Sequence, residues 1–260
     1  MGILVRIMKR YFKGLYMAFG MFCAIPLPVQ LWDDSCMNLM LACFPLVGGI
    51  IGALWWGFAE LIIFSGINIV FVAAVLTIFP FFVTGFLHLD GYMDTSDAVL
   101  SRRPLEDKLR ILKDPHTGAF AVIMIAVLFL LQFAASYAVV ENANGKYLVL
   151  LVIIAVISRC CSAMSILCLK AMPQSGYGNM FQQNTGISHK IFLVVVALLA
   201  IAIAYILAGI YGLIVATSVI VGYIAAMAYA YKEFKGISGD LTGFSLVISE
   251  LCGLIALAVI

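Results

Sequence analysis

GFLHLDGYMDTSDAVLSRRPLEDKLRILKDPHTG, residues 85–118, holds six of the chain's thirteen acidic residues and five of its fifteen Lys and Arg. Apolar runs flank it on both sides, at about 69–88 and 118–140. Each run approaches the ~20 residues a helix needs to cross a bilayer, where every backbone polar group must be satisfied within the element. The stretch therefore reads as a polar segment at a membrane surface, between two spanning helices. The rest of the chain agrees, being 65% hydrophobic and 11% charged with a mean hydropathy of +1.14. A soluble core of 260 residues does not need that much apolar sequence. Further spans fall at about 38–64, 147–169, 191–209 and 211–231. A last apolar segment, 241–260, either crosses or re-enters. The expected fold is all-α: a polytopic transmembrane helical bundle of about six to seven spans, forming one integral membrane domain over residues 1–260.

Arg6, Lys9, Arg10 and Lys13 stand among Ile, Leu, Met, Phe and Tyr in the first thirty residues. That pattern predicts an amphipathic helix lying on an anionic leaflet and dipping in before Pro26 and Pro28. Pro104 opens a short surface helix over 104–113, with Leu105, Leu109 and Leu112 as a stripe against the bilayer and Asp114-Pro115 as its stop. The seven cysteines are odd in number, lie mostly in apolar segments and form no metal-type Cys-x-x-Cys pair. They read as small apolar residues of membrane helices rather than a disulfide framework. No cleavable signal or myristoylation match is expected, since the basic N-terminus lacks a compact apolar region and position 6 is Arg. By the positive-inside rule the N-terminus and the loops around 90–116, 170–190 and 232–240 share the cytoplasmic side. That side then holds thirteen of the fifteen Lys and Arg, with Lys146 opposite and Arg159 inside a span.

Within the opening stretch, Asp90, Asp94 and Asp97 are spaced i, i+4, i+7. On a helix they project from one face, within about 60° of arc. Carboxylates that close repel one another unless a cation sits between them. Hard oxygen ligands without a thiolate favour Mg2+ or Mn2+ over Zn2+, and Mg2+ leaves room for substrate phosphates, which points to phosphoryl-type chemistry. A solvated acidic turn is the competing reading. In an unbroken helix His88 points away from the Asp90 face, so a turn near Gly91 is expected to return it as a base, a ligand or a hydrogen-bond donor. Glu60, Arg159 and Glu250 are charges within apolar spans and functional candidates on that ground. Arg159 needs an anion: Glu60, Glu250 or a substrate phosphate. Gly176 and Gly178 flank Tyr177 in a loop suited to gripping a phosphate or a base, a weak signal by itself. With Ser238-Gly239-Asp240-Leu241-Thr242-Gly243, three polar loops converge on one face as a single expected active site.

These residues resemble the cobalamin synthase, or adenosylcobinamide-GDP ribazoletransferase, family. The strongest match is Gly85-x-Leu-His88-Leu-Asp90-Gly91-x-x-Asp94-Thr-x-Asp97, followed by Lys113-Asp114 and Gly118. Phe44-Pro-Leu-Val-Gly48, Ser158-Arg159, Gly176-x-Gly178 and Gly239-Asp240-x-x-Gly243 with Glu250 support it by order and separation. Ala98, Gln174-Ser175 and Ser238 stand where the family commonly has Gly, Arg and Thr. The resemblance implies a Mg2+-dependent enzyme of the bacterial inner membrane with its site facing the cytoplasm. It implies transfer of the adenosylcobinamide phosphate moiety from adenosylcobinamide-GDP to α-ribazole or its 5′-phosphate, with release of GMP, in the last assembly step of coenzyme B12. The implied metal ligands are Asp90, Asp94 and Asp97, with His88 or one aspartate taking the hydroxyl proton. Lys113, Asp114, Arg159, Gly176, Gly178, Asp240 and Glu250 are the implied substrate-binding set. The implied partners are the two substrates and membrane lipid, with no nucleic acid. Self-association, or association with other cobalamin-assembly enzymes, stays open. A CDP-alcohol-type phosphotransferase and a small-solute transporter are the alternative readings.

Overall fold

The computed structural model describes residues 2–143, 147–173, 180–182 and 185–260. Among these, helices α1 (Gly2–Phe22), α2 (Met37–Ala42), α3 (Phe44–Phe64), α4 (Ile69–Val83), α5 (Leu87–Leu100) and α6 (Leu105–Ile111) form the first half. The second half holds α7 (Ala119–Ala143), α8 (Leu150–Cys168), α9 (Ile187–Ala208), α10 (Ile210–Phe234) and α11 (Gly239–Ala258). Six of them, α3 and α7 to α11, are long and apolar enough to cross a membrane, and α4 with α5 makes a seventh candidate bent by 94°. The protein is an all-α polytopic membrane bundle. The last segment, left open between crossing and re-entry, is one 20-residue helix. It packs against α5, α7, α8 and α10 and buries most of its length. All seven cysteines are free.

The polar stretch begins where α4 fails. Pro80 sits inside α4, and Thr84 Oγ1 donates to the carbonyls of Pro80 (3.0 Å) and Phe81 (3.1 Å) where the helix ends. Gly85 (φ +61°) and Phe86 (φ +62°) then adopt left-handed backbone, which a helix cannot continue through. The chain therefore turns at Gly85–Phe86 rather than near Gly91, and Gly91 lies inside an unbroken α5. α5 leaves α4 at 94°, is not one of the six helices long enough to cross by themselves, and packs on α7, α10 and α11.

Two further expectations are corrected. The span foreseen at 38–64 divides at Cys43 into α2 and α3, with Pro45 in the first turn of α3, where its missing N–H costs nothing. The second half of the N-terminal helix is buried in protein: Met17, Ala18 and Phe22 lie in one cluster with Met40, Leu41, Phe44 and Val47. Lys13 anchors the helix to Asp33 at 3.0 Å. The leucine stripe of α6 packs on protein rather than on the bilayer, with Leu112 buried and Leu105 and Leu109 against the same cluster as Leu89 and Phe244. Lys108 on α6 pairs with Glu233 at the end of α10.

Helices α3 and α8 touch through glycine. A Cβ on Gly52 would lie 2.6 Å from the Val152 Cα, whereas one on Gly49 would meet only the Val156 Cγ2, at 3.7 Å. Gly52→Val is expected to destabilise the protein by about 1–3 kcal/mol or more through overpacking against backbone. Gly49→Ala should leave the midpoint of thermal unfolding in detergent nearly unchanged, and the pair of melting curves checks the contrast.

Candidate active site

The segment after α8 and the segment before α11 are joined by a parallel bridge between Ala171 and Ile237. Its bonds run from Met172 N to Ile237 O at 2.9 Å and from Ile237 N to Lys170 O at 3.0 Å. That bridge, α5, the end of α6 and the end of α1 enclose a cavity of ≈ 410 Å3. Phe22 and Phe44 supply apolar wall, while His88, Asp90, Lys113, Ser162, Ser238 and Asp240 supply polar groups. The polar segments at this end of the bundle thus meet in one place, as the positions of their charges foretell.

Glycine sets the crossing of α5 and α11. A Cβ on Gly91 would stand 2.8 Å from both the Cα and the O of Asp240, and one on Gly243 would stand 3.2 Å from the His88 carbonyl oxygen. The two backbones touch there, so Asp90 on one helix and Asp240 on the other reach the same cavity. Asp240 occupies the first turn of α11, where the unpaired N–H groups favour a carboxylate. The Ser238 hydroxyl donates to Asp240 Oδ2 (3.2 Å) and accepts from Leu241 N (3.4 Å). Tyr92 stacks on Phe244 with centroids 5.6 Å apart and donates to the Met124 carbonyl at 3.2 Å, fixing α5 between α11 and α7.

The three aspartates of the motif share α5 but not one environment. Burial, and then the carboxylates of Asp90, Asp240 and Asp97, push the Asp94 acid up to about 6. Asp97 turns toward α7: its Oδ1 accepts from Ala121 N at 3.4 Å, and a Cβ on Gly118 would lie 2.1 Å from its Oδ2. Of the three, only Asp90 lines the cavity; Asp94 and Asp97 do not. Among the described residues no three His, Cys, Asp or Glu side chains are gathered ready to hold a metal ion, and no Lys, Arg or His forms a salt bridge with Asp90, Asp94, Asp97 or Asp240. Gly118→Ala is expected to swing the Asp97 carboxylate off α7 and lower turnover about tenfold. Because the neighbour displaced is the end of a flexible side chain, the melting temperature should change little; activity and unfolding measured on one preparation check this.

His88 stays about 200° around α5 from Asp90, yet both line the cavity, because the cavity wraps the helix end. Its ring is buried near Phe44 (5.8 Å) and Phe22 (6.4 Å), and its Nε2 has no hydrogen-bond partner. Arg159 finds its anion in Glu250. The two form a buried pair, with Arg159 Nη1 also donating to Ser158 Oγ (3.0 Å) and the Ala155 carbonyl (3.2 Å), and Ser158 Oγ donating to Glu250 at 3.0 Å. Neither lines the cavity. Glu60, the other foreseen partner, is exposed and accepts from Trp56 Nε1 at 3.0 Å. Asp114 is turned to His116, whose N and Nδ1 lie 3.0 and 2.7 Å from its Oδ1. Lys113 does reach the cavity. Gly176 and Gly178 lie outside the described residues. Sequence reasoning missed Phe22 and Ser162 as cavity wall. The apolar face of α1 was visible, but not the helices it would pack on.

The family model for cobalamin-5-phosphate synthase matches residues 14–258, which include every site residue named above. An adenosylcobinamide-GDP ribazoletransferase of Clostridium botulinum (strain Alaska E43 / Type E3) is 42% identical over 248 residues, covering 95% of this chain and 97% of the relative. One of Clostridium perfringens (strain ATCC 13124) is 37% identical over 256 residues, covering 97% and 100%. No solved structure matches the chain. Likeness of that extent, running from within α1 to the end of α11, leaves one assignment: the chain belongs to the cobalamin-5-phosphate synthase family.

Proposed function

We propose that the protein is an adenosylcobinamide-GDP ribazoletransferase, the activity named for its relatives. It joins the adenosylcobinamide phosphate moiety of adenosylcobinamide-GDP to α-ribazole or α-ribazole 5′-phosphate and releases GMP. The observation that carries the reading is the cavity that gathers His88, Asp90, Lys113 and Asp240 at one end of a membrane bundle. In this reading a ribose hydroxyl attacks the phosphate attached to the corrinoid side chain. Lys113 meets phosphate oxygens as a mobile point charge. The imidazole of His88, whose Nε2 is otherwise unpartnered, accepts the hydroxyl proton. Arg159 and Glu250, engaged with each other, act by fixing α8 against α11 behind the cavity. The glycines at 176 and 178 are assigned to the phosphates by the resemblance alone.

Asp90 and Asp94, with Asp97 on the same helix, are the residues that would hold Mg2+. Four carboxylates near one another, none in a salt bridge among the described residues, support that choice, and their all-oxygen chemistry suits a hard ion. Mg2+ takes one or two carboxylates and fills its remaining positions with water and substrate phosphate, so no ready-made cage of three is required. Bound there, the ion would neutralise the pyrophosphate and the charge on the departing GMP. The polar end is assigned to the cytoplasm of the bacterial inner membrane, because thirteen of the fifteen Lys and Arg fall on that side.

Detergent-purified protein supplied with adenosylcobinamide-GDP and α-ribazole 5′-phosphate is expected to release GMP only with both substrates and Mg2+, and not in EDTA. Release without the ribazole would make it a hydrolase. No release from folded protein would end the transferase reading.

A further inference from the structure

Behind the wall of the active-site cavity, α8, α9 and α10 enclose a second hollow of ≈ 750 Å3. It is apolar along its length, with Leu193, Leu198, Ile201, Ile220 and Ile224 among its lining. It follows α8 from Cys160 to Leu169 and α10 from Ile220 to Lys232. At 1.5 Å of rise per residue those stretches span roughly 15–18 Å. That is close to half of the ~30 Å of bilayer hydrocarbon. A second copy or a partner helix packed here would need a face running through both leaflets. A groove one leaflet deep fits an acyl chain.

Charge marks which end holds the headgroup. Lys232 closes the groove at the active-site end. Lys170 follows Leu169, the lining residue just past α8, and Lys190 stands four residues before Val194, one turn earlier on the same face of α9. Among the described residues none of the three lysines is in an ion pair. Between Ile191 and Tyr231 there is no Asp, Glu, Lys or Arg at all, so the far end offers no such charge. We propose that this groove binds one anionic phospholipid from the leaflet at the active-site end. Its acyl chain lies between α8, α9 and α10, and its phosphate sits at Lys232 within reach of Lys170 and Lys190. The two hollows share the last turns of α8: Ser165 and Cys168 face the groove, Ser162 and Ile166 the cavity. The lipid therefore braces the helix that backs the substrate.

The test uses the lipid-stripped full chain in neutral detergent, titrated with phosphatidylglycerol or with phosphatidylcholine of the same acyl chains. Bound lipid is counted by native mass spectrometry, and thermal unfolding is followed in parallel. One phosphatidylglycerol per chain, a raised melting temperature and at least about fivefold weaker phosphatidylcholine binding are expected, fivefold being the worth of one basic residue near an anionic headgroup. Lys232→Glu should erase the preference. Ala197→Trp, which fills the groove without touching charge, should abolish retention of both lipids; Ala228→Phe does the same from α10 if the first variant fails to fold. Equal binding of the two lipids, or a preference that survives Lys232→Glu, would overturn the headgroup site. Lipid retained by the filled-groove variants would place the chain elsewhere and overturn the proposal. So would a dimer that phosphatidylglycerol does not disperse and that filling the groove breaks.

Discussion

Asp94→Asn is expected to lower the rate of GMP release by about 10²–10³-fold, the usual cost of removing one electrostatic element from a site where charge develops, while the folded protein loses no stability. The two halves have one cause. Burial and the neighbouring Asp90, Asp240 and Asp97 raise the Asp94 acid from 3.8 to about 6. A carboxyl whose pKa is raised by folding is ionised at a cost. Stability falls as pH climbs from the unfolded value through the folded one, and the penalty persists at neutral pH. Asn keeps the shape and removes that penalty, so the melting temperature of the metal-free variant should equal or exceed that of the parent. Activity in saturating Mg2+ and unfolding in EDTA, measured on one preparation, decide the matter. Near-normal turnover would remove Asp94 from the metal assignment, and a large drop in melting temperature would make it a structural residue.

Glu250→Ala is expected to cost about 3–5 kcal/mol, because it strands the Arg159 guanidinium in the bundle without its anion. Arg159 is 1% exposed, and its Nε already lacks a partner. The remaining contacts, Ser158 Oγ and the Ala155 carbonyl, are neutral and cannot replace a carboxylate. The double change Arg159→Met with Glu250→Leu should recover most of that loss, since an apolar pair of similar volume removes both the charge and the need for its partner. Detergent unfolding curves for the two variants test the coupling. A double variant no better than Glu250→Ala would show that the pair contributes through something other than mutual neutralisation.

How far the sequence discloses this protein depends on whether a feature is written within one element or between two. The crossing helices were readable because length and apolarity are properties of a single segment. The shared end of the polar loops followed from counting crossings and cations. The corner at Gly85–Phe86 was not readable, because nothing about a phenylalanine announces a positive φ; the turn was expected at Gly91, the residue whose type permits one. Gly91 serves the other use of glycine, close approach, and only the position of Asp240 reveals it. Arg159 announced that it needed an anion but not which, since Glu60 and Glu250 are equal in sequence and unequal in place. The division of labour on α5 was hidden for the same reason. Asp90, Asp94 and Asp97 repeat on one face, yet only Asp90 lines the cavity, and Asp97 is turned to α7 at Gly118.

The contact between Gly91 and Asp240 also fixes an order of manufacture. α5 turns away from α4 by 94° at the corner between them. The ribosome supplies the first-motif aspartates before half of the chain exists, but Asp240 opens the final helix. Until that helix is in place, α5 lacks the backbone that Gly91 meets. Nascent chains that lack α11 would thus carry the whole aspartate motif without the carboxylate that joins Asp90 at the cavity.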